Sequence, residues 1–351
     1  MKAGAGDALV VSPAEKLAFL RQARVLSEDD SAPVQMVETR SSWVFLTTDG
    51  AYKLKKPLHS RMVDLTTVAA RGRNATHELH LNRRLAPTVY VGLLPLWCDR
   101  RSGLRIGPVV ESPADCPLDP GQVVDWLVGM HRLPATRMLD RLIGDHRLDD
   151  GVVEGIGAYL GRFYQAQPAV RLSPGGYVEG LRRTIQSEGA VLATAPEWVD
   201  AERLSAALQR QLEFLDHHGR VRLAERASAG RIIEGHGDLR PEHVCCLEPP
   251  VIFDCLEFSR ELRMLDAVDE LAYLGLECAR LGQPGTLEGL LAAYGACCED
   301  DPPAELVRFY QRYRALVRAK LALWHLIDLP HDRPAKWRTR LETYLTIAAG
   351  P

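Results

Sequence analysis

Five polar residues that can handle protons, metal ions or phosphate are concentrated in one short stretch of the chain. The stretch reads EGHGDLRPEHVCCLEPPVIFDCLEF, and the five are His236, Asp238, Arg240, His243 and Asp254. Two apolar runs, VCCL and VIFDCL, are separated by Glu248-Pro249-Pro250 and predict a small hairpin within residues 234–258. Polar groups at strand ends and in loops are common sites of chemistry. We therefore expect Asp238 and Asp254 to face one another over a cleft.

Two carboxylates in this arrangement suit the transfer of a phosphoryl group from a nucleotide. That reaction needs a carboxylate on the acceptor hydroxyl, ligands for magnesium, a cation on the phosphates and a partner that fixes the cation. Asp238 suits the first role, and Asp254 suits magnesium, a hard ion that prefers carboxylate oxygen. Upstream, Lys53 or Lys55 suits the cation, and Glu78 suits its ion-pair partner.

The two lysines lie in a segment, VQMVETRSSWVFLTTDGAYKLKKP, that predicts three antiparallel strands at 34–39, 43–48 and 51–56. Asp49-Gly50 is a strong hairpin signal. The Arg40-Ser41-Ser42 connection offers N–H groups and hydroxyls that can cradle phosphate, although a plain hairpin turn explains it equally well. Alternation places Lys53 and Lys55 on one strand face, and such a face taken alone is usually solvated.

The remaining pattern predicts a small sheet followed by many helices. A helix over 67–85 carries Glu78, which alone would pass for an exposed residue, and apolar runs predict strands at 89–97, 104–110 and 123–128. Residues 1–33 are interpreted as an arm plus a helix that begins with a capping box at Ser12 and Glu15. Helices are predicted at 152–166, 176–185, 200–215, 262–281, 287–297, 303–327 and 336–348. The prediction is a bilobal α+β protein with an N-lobe at 34–128, a connector or hinge at 129–134, and a helical C-lobe at 135–351 that holds the 234–258 hairpin.

At this point the motifs resemble a known family. HGDLRPEH resembles the HxDxxxxN catalytic loop of the protein-kinase-like fold, and IFDCLEF stands where that fold has its magnesium-binding DFG aspartate. The HGD form resembles the aminoglycoside phosphotransferase-like branch of small-molecule kinases. The stretches ETRSSWVFLTTDGAYKLKKP, ELHLNRRLAP, WLVGMHRLP and FDCLEFSRELRMLDAVDELAYL are similar to a bacterial subfamily often fused to a P-loop ATPase. No GxxxxGK[ST] occurs, so we do not expect that ATPase half here.

The resemblance implies roles for residues of the helical half. Asp238 would be the catalytic base or the residue that orients the hydroxyl, and His236 would brace the loop. Arg240 would touch the transferred phosphate, and Asp254 would bind magnesium. His243 replaces the metal-binding Asn of the motif, and imidazole is a softer ligand than an amide oxygen. Asp266, further on, would hold the catalytic loop.

In the small lobe the resemblance implies the nucleotide site. Lys53 matches the A-x-K spacing and is preferred as the phosphate-binding lysine, with Lys55 as an alternative, and Glu78 is the helix glutamate. Ser41 and Ser42 would lie in the loop over the phosphates. The hinge at Gly129-Met130-His131 would receive adenine through its backbone.

Composition sets the limits of this interpretation. The chain has 351 residues, of which 46% are hydrophobic and 25% charged, as in soluble globular proteins. A net charge of −3 gives no case for nucleic acid or an anionic membrane, and the short apolar run at the N-terminus does not suit a signal peptide, so we expect a cytoplasmic protein. The eight cysteines form no CxxC and are interpreted as reduced thiols.

The function predicted is an ATP- and magnesium-dependent phosphotransferase that acts on a hydroxyl of a small molecule, with ATP preferred to GTP only because it is commoner in the fold. One alternative is a nucleotide-binding pseudokinase, which His243 favours; another is a metallohydrolase using His236, Asp238, His243 and Asp254. An aminoglycoside, a sugar or another metabolite would fit as acceptor, and a polycation would need acidic residues. The acidic candidates are Glu299, Asp300, Asp301 and Glu305, and the basic strip of Arg312, Arg314, Arg318 and Lys320 is predicted to be a solvated face.

Overall fold

The computed structural model describes residues 11–26, 33–60, 62–99, 101–119, 121–328 and 333–350. The described chain divides into two compact units. The sheet unit contains the described residues up to Met138 together with Val251–Arg260, and the helical unit contains Leu139–Pro250 and the residues from Glu261 onward. This mixture of an antiparallel sheet and a larger helical part confirms the predicted fold class.

The elements are numbered in chain order. The strands are β1 (Gln35–Glu38), β2 (Ser42–Leu46), β3 (Gly50–Lys55), β4 (Tyr90–Asp99), β5 (Gly103–Ile106), β6 (Val123–His131), β7 (Ile232–Glu234), β8 (Val244–Cys245), β9 (Val251–Ile252) and β10 (Met264–Asp266). The helices are α1 (Pro13–Leu20), α2 (Ala23–Leu26), α3 (Val68–Asn82), α4 (Leu139–Gly144), α5 (Asp150–Ala166), α6 (Pro174–Leu192), α7 (Ala201–Asp216), α8 (His218–Ser228), α9 (Ala267–Arg280), α10 (Thr286–Cys298), α11 (Ala304–Asp328) and α12 (Pro334–Ala349). Of the predicted N-terminal arm, residues 1–10 and 27–32 lie outside the described residues.

The sheet unit is built on a six-stranded antiparallel sheet in the order β1-β2-β3-β6-β4-β5. Strand β3 lies between β2 and β6, and Lys53 is opposite Val44 on one side and Val128 on the other. Strand β6 runs on to His131, so the predicted connector at 129–134 is wrong for its first three residues. The backbone of these residues pairs with both β3 and β4. Gly129, for example, lies opposite Tyr52 of β3 and Gly92 of β4.

Helix α1 begins as predicted, with Ser12 and Glu15 forming a reciprocal capping box. The helix is attached to β6 by a buried charge cluster. Lys16 Nζ lies 2.8 Å from Asp125 Oδ2, and Arg71 of α3 donates to both oxygens of Asp125, at 2.7 and 3.0 Å. Asp125 is only 2% exposed, so it compensates two buried cations at once.

Replacing Asp125 by asparagine is therefore expected to lower the free energy of unfolding by about 3–5 kcal/mol, because two buried cations lose their counter-charge. Urea unfolding followed by circular dichroism would measure the change. The matched control is Glu38→Gln, which removes the partner of Lys56 in an exposed pair and should have a much smaller effect. Equal effects in the two variants would contradict the structural role given to Asp125.

The helical unit contains the predicted helices, but α6 continues to Leu192 instead of ending at 185, and α8 was not among those predicted. Residues 262–281 do not form one helix, because Met264–Asp266 pairs as β10 with β7 and the helix starts only at Ala267. Asp266 is the N-cap of α9 and accepts a hydrogen bond from the N–H of Val268 at 3.0 Å. All eight cysteines are free thiols, as predicted. Within the described residues, no helix has the length and apolar character needed to cross a membrane.

Candidate active site

In the sheet unit, Lys53 is held between two carboxylates. Its Nζ donates to Glu78 Oε1 at 2.8 Å and to Asp254 Oδ1 at 2.7 Å. Burial alone would lower the pKa of Lys53, but the charges of Asp254 and Glu78 outweigh it and hold the pKa well above its ordinary value. Lys53 is therefore a fixed positive charge, aimed by two acids that lie far apart in sequence.

Glu78 is the centre of this charge network. It lies on the inward face of α3 and is fully buried, unlike the exposed residue that its surroundings in sequence indicate. Burial would raise the pKa of its carboxyl group, but Lys53 and Lys55 together hold that pKa below its ordinary value. Both lysines of β3 therefore point at Glu78, and the expectation that their strand face is solvated is wrong.

Lys55 differs from Lys53 in its second partner. Lys55 is 1% exposed and contacts Glu78 Oε2 as well as Glu257 Oε1, the latter at 2.6 Å. It makes no ion pair with Asp254, so the geometry favours Lys53 as the lysine associated with Asp254. Glu257 was missed from the sequence. The available signal was that two lysines on one inward strand face need more than one carboxylate.

Asp254 follows β9 and has a left-handed backbone, with φ of 61°. The segment that carries it is attached to α3 and β4. Ile252 N–H donates to the Leu85 carbonyl at 3.3 Å, Cys255 N–H to Asn82 Oδ1 at 2.9 Å, and Asp254 N–H to Tyr90 Oη at 3.4 Å. The Asp254 side chain is 41% exposed, so a hard oxygen donor is presented at the surface of this cluster.

The residues predicted to contact nucleotide lie partly in a connection between strands and partly within strands. Ser41 lies in the β1–β2 connection, and its carbonyl accepts from Lys56 N–H at 2.8 Å. Ser42 is not in that loop but at the first position of β2, opposite Lys55, with its side chain buried. Its Oγ has no hydrogen-bond partner among the described residues. Met130 lies in β6, opposite Ala51 and Tyr90. Contact of any of the three with a nucleotide stays a prediction.

In the helical unit, the loop after β7 holds Asp238 by both carboxylate oxygens. Tyr273 of α9 donates to Asp238 Oδ1 at 3.0 Å, and Arg240 Nε donates to Asp238 Oδ2 at 3.1 Å. Burial would raise the pKa of this carboxyl group, but the guanidinium groups of Arg240 and Arg318 outweigh burial and hold the pKa well below its ordinary value. The carboxylate is thus ionised and held in place. A weakly basic carboxylate of this kind suits the positioning of a hydroxyl better than the removal of its proton early in the reaction.

His243 bridges the loop rather than pointing away from it. Its Nδ1 lies 2.9 Å from the Asp238 carbonyl oxygen, and its Nε2 lies 3.0 Å from Arg240 Nη2. One neutral tautomer satisfies both contacts, with Nδ1–H donating to the carbonyl and Nε2 accepting from the guanidinium. Arg240 also binds Glu242, through Nη1 to Oε1 at 2.5 Å. Both ring nitrogens of His243 are engaged, so this arrangement does not favour His243 as a metal ligand.

The backbone of the loop after β7 is supported by α9 and α11. Gly237 has φ of 88°, which only glycine adopts readily, and its N–H donates to the buried Glu270. Its carbonyl accepts from Arg314 at 3.4 Å, and Arg314 forms a two-point ion pair with Asp269 at 2.7 Å. The sequence assigned the supporting role to Asp266 instead.

That assignment of Asp266 is wrong in its detail. Asp266 binds Arg226 through both oxygens and accepts from Tyr310 at 2.9 Å, so it fixes α8 and α11 to the start of α9. The loop is supported by Glu270 directly and by Asp269 through Arg314. Fixing the helices and supporting the loop are thus carried out by different acidic residues at the start of α9. A single motif position cannot reveal that division. His236, fully buried, does accept from the N–H of Asp238 at 3.3 Å, consistent with bracing the loop.

Asp254 belongs to the sheet unit and Asp238 to the helical unit. Their convergence on one phosphate stays a prediction. Among the described residues, no three His, Cys, Asp or Glu side chains are placed to hold a metal ion together. Magnesium in kinase-type sites is commonly held by one or two carboxylates plus substrate phosphates, and Asp254 fits that role by its chemistry and exposure.

Comparison of the structure with solved proteins gives the class to which this fold belongs. Similar folds include a choline/ethanolamine kinase family protein from Mesorhizobium loti, 17% identical, with a TM-score of 0.54 over 96% of this chain and 95% of that one. The GDP and kanamycin complex of the phosphotransferase APH(2″)-IIIa is 14% identical, with a TM-score of 0.54 over 94% and 97% of the two chains. A choline kinase from Cryptosporidium parvum is 10% identical, with a TM-score of 0.52 over 95% and 94%. The chain therefore has the protein-kinase-like fold in the form found in these small-molecule kinases.

The curated relatives are longer than this chain. An uncharacterized protein of Mycobacterium tuberculosis, Rv2004c, is 30% identical over 306 residues, which are 83% of this chain and 55% of the relative. An uncharacterized protein of Mycobacterium bovis, Mb2027c, matches to the same extent. The chain thus spans about half the length of the curated relatives it matches. No family model matches the sequence.

Proposed function

We propose that this protein is an ATP-dependent phosphotransferase that phosphorylates a hydroxyl group of a small molecule. The observation that carries the proposal is Lys53, held at 2.8 Å from Glu78 and 2.7 Å from Asp254. A lysine positioned by a helix glutamate, beside an exposed aspartate, is the arrangement that phosphoryl transfer in this fold requires. Asp238, ionised and oriented in its loop, supplies the second half of the chemistry.

In the proposed reaction, a bond forms between the acceptor oxygen and the γ-phosphorus, and the bond from the γ-phosphorus to the β–γ bridging oxygen breaks. ADP leaves, and the hydroxyl proton passes to Asp238 or to solvent. Asp238 orients the hydroxyl, and Lys53 stabilises negative charge on the phosphates. Magnesium would be held by Asp254 together with phosphate oxygens, and it would neutralise charge that develops on the phosphates.

The proposal is tested by incubating the full chain with ATP and magnesium and a panel of hydroxyl compounds, including aminoglycosides, amino alcohols, sugars and hydroxy acids. Mass spectrometry should find one compound heavier by a single phosphoryl group with the wild type, and far less of that product with Asp238→Asn in the same time. Absence of transfer to every compound, together with absence of ATP binding by thermal shift, would overturn the proposal.

A pseudokinase is the second candidate, and His243 at the metal-binding position favours it. In the structure both ring nitrogens of His243 bind Asp238 or Arg240, so one expected magnesium ligand is otherwise engaged. A pseudokinase would show an ATP-dependent rise in melting temperature with no phosphoryl transfer to any compound. An active kinase would show both.

A further inference from the structure

Three arginines from three helices gather around Tyr344 in the helical unit. They are Arg280 at the end of α9, Arg318 in α11 and Arg340 in α12, and we refer to them as the arginine cluster. Arg318 and Arg280 lie over the ring of Tyr344, at 5.5 and 6.0 Å from its centroid. Arg340, one helical turn before Tyr344, lies over the ring of Trp337 at 5.0 Å. The prediction of a solvated face for Arg318 is therefore wrong, since its side chain is only 11% exposed.

The carboxylate in direct contact with the cluster is Glu277, and it is already shared; Glu242 and Asp238 act on Arg280 and Arg318 from further away. Glu277 is fully buried, and its Oε2 accepts from Arg280 at 3.0 Å. Its Oε1 accepts from Tyr344 at 2.6 Å and lies 3.6 Å from Arg318 Nε. That Nε is buried and has no hydrogen-bond partner among the described residues. Arg340 forms no ion pair with any described carboxylate, so positive charge exceeds negative charge in the cluster.

The cluster adjoins the candidate catalytic residue. Tyr273, which donates to Asp238, and Glu277, which faces Arg318, are four residues apart on α9 and therefore share one face of the helix. One helical turn, about 6 Å, separates them. The Arg318 charge also contributes to the lowered pKa of Asp238, which agrees with this proximity.

Two of the four acidic residues that would suit a polycationic acceptor, Asp300 and Glu305, are engaged in ion pairs. Asp300 accepts from Arg226 at 2.7 Å and from Tyr294 at 2.7 Å. Glu305 pairs with Arg222 at 2.9 Å. Both acids therefore serve structural ion pairs. Near Asp238, Glu242 is bound to Arg240. These contacts leave the surroundings of Asp238 with an excess of arginine, which disfavours a cationic ligand.

We propose that the arginine cluster binds an anionic group of the acceptor, so that the substrate is a hydroxyl compound that carries a phosphate or a carboxylate. This inference rests on the proposed kinase function for its catalytic meaning, while anion binding by the cluster is independent of catalysis. The acceptor anion completes the hydrogen bonding of Arg318, and the cluster holds the hydroxyl end of the molecule toward Asp238. Arginine suits this task because its planar donors match phosphate and carboxylate oxygens.

The first experiment measures binding of inorganic phosphate to the full chain by calorimetry, with and without a saturating non-hydrolysable ATP analogue. Wild-type protein should bind phosphate in both conditions, and Arg318→Gln should weaken binding at least about 10-fold, the loss expected for one charge-assisted contact. The control is Arg312→Gln, which removes an arginine of the same helix whose neighbouring charges are Arg210 and Arg308. Equal binding by the two variants, or displacement of phosphate by the analogue, would overturn the proposal.

The second experiment compares three acceptors that share one hydroxyl scaffold and are neutral, anionic or cationic. The anionic compound should have the highest kcat/KM, and Arg318→Gln should raise KM for that compound while leaving KM for ATP unchanged. A rise in KM for ATP instead would mean that the cluster binds nucleotide phosphate, and the proposal would fail. If no compound is phosphorylated, the kinase proposal fails, but phosphate binding in the first experiment still decides whether the cluster is an anion site.

Discussion

Replacing Asp238 by asparagine is expected to lower kcat for phosphoryl transfer by about 10²- to 10⁴-fold, the usual contribution of a positioned acid–base group. The asparagine side chain can still accept from Tyr273, so the fold should be retained. ATP binding should also be retained, because the nucleotide-binding residues proposed here lie in the sheet unit. Steady-state kinetics and a thermal shift with ATP would separate the loss of chemistry from a loss of binding.

The matched control for Asp238 is Glu242→Gln, because Glu242 is the other carboxylate bound to Arg240. Its loss should reduce kcat much less, since Glu242 has no proposed contact with the acceptor. An asparagine variant of Asp238 with wild-type kcat would remove Asp238 from the mechanism. Equal losses in both variants would mean that the orientation of Arg240 matters, and that the Asp238 carboxylate does not.

The lowered pKa of Asp238 also predicts how stability and activity depend on pH. A carboxylate whose pKa in the folded protein lies below its ordinary value of about 4 remains ionised at every pH above about 5. The stability that its pairing contributes is present above the pKa of the unfolded chain and is lost as the pH falls through the lower pKa of the folded chain. We therefore expect no loss of activity from protonation of Asp238 between pH 5 and neutrality.

Replacing Lys53 by methionine is expected to lower kcat/KM for ATP by about 10²- to 10³-fold, comparable with the loss of one preorganised charge in other active sites. Lys53 lies between Glu78 and Asp254, so its removal also leaves these two carboxylates without the positive charge that offsets their repulsion. The variant should therefore bind ATP more weakly, and added magnesium should only partly compensate. Calorimetric titration with ATP and steady-state kinetics would measure both effects.

Lys55 provides the comparison, because it contacts the same Glu78 but pairs with Glu257 instead of Asp254. Lys55→Met should mainly lower the melting temperature, since it leaves a buried carboxylate without its cation. The double variant Lys55→Met/Glu257→Gln removes both charges of one pair and should recover part of that stability. If Lys55→Met abolished transfer at unchanged stability while Lys53→Met did not, the assignment of the two lysines would be reversed.

The sequence was sufficient for the elements and for the motif residues because both depend on short-range patterns. Alternation predicted β1 to β3 within two residues, and the Ser12–Glu15 box marked the start of α1. The end of β6 was not predictable in this way, since the sequence from Gly129 onward was interpreted as an extended connector. Their pairing partners, Tyr52 and Gly92, are distant in sequence.

The residues that were missed acquire their roles only through contacts between distant elements. Tyr273 looks like one more apolar position of α9, and its hydroxyl becomes important only because Asp238 lies 3.0 Å away. Glu257 looks like a loop residue until Lys55 is placed opposite it. Arg318 falls in a helix whose charges indicate a solvated strip, and three-helix packing brings it over Tyr344. Periodicity reports the face of an element, and it does not report what covers that face.

The sheet unit is assembled from two separate parts of the chain, and this division has a consequence for biosynthesis. The first part ends at Met138, but Asp254 and Glu257, the acids that accompany Lys53 and Lys55, arrive more than a hundred residues later. When only the first part of the chain has emerged from the ribosome, Lys53 and Lys55 have Glu78 as their shared counter-charge. Domains usually fold from the N-terminus onward during translation, and here we expect the sheet unit to complete its charge network only after residues 251–260 have been synthesised. A fragment that stops at Met138 should be prone to aggregation.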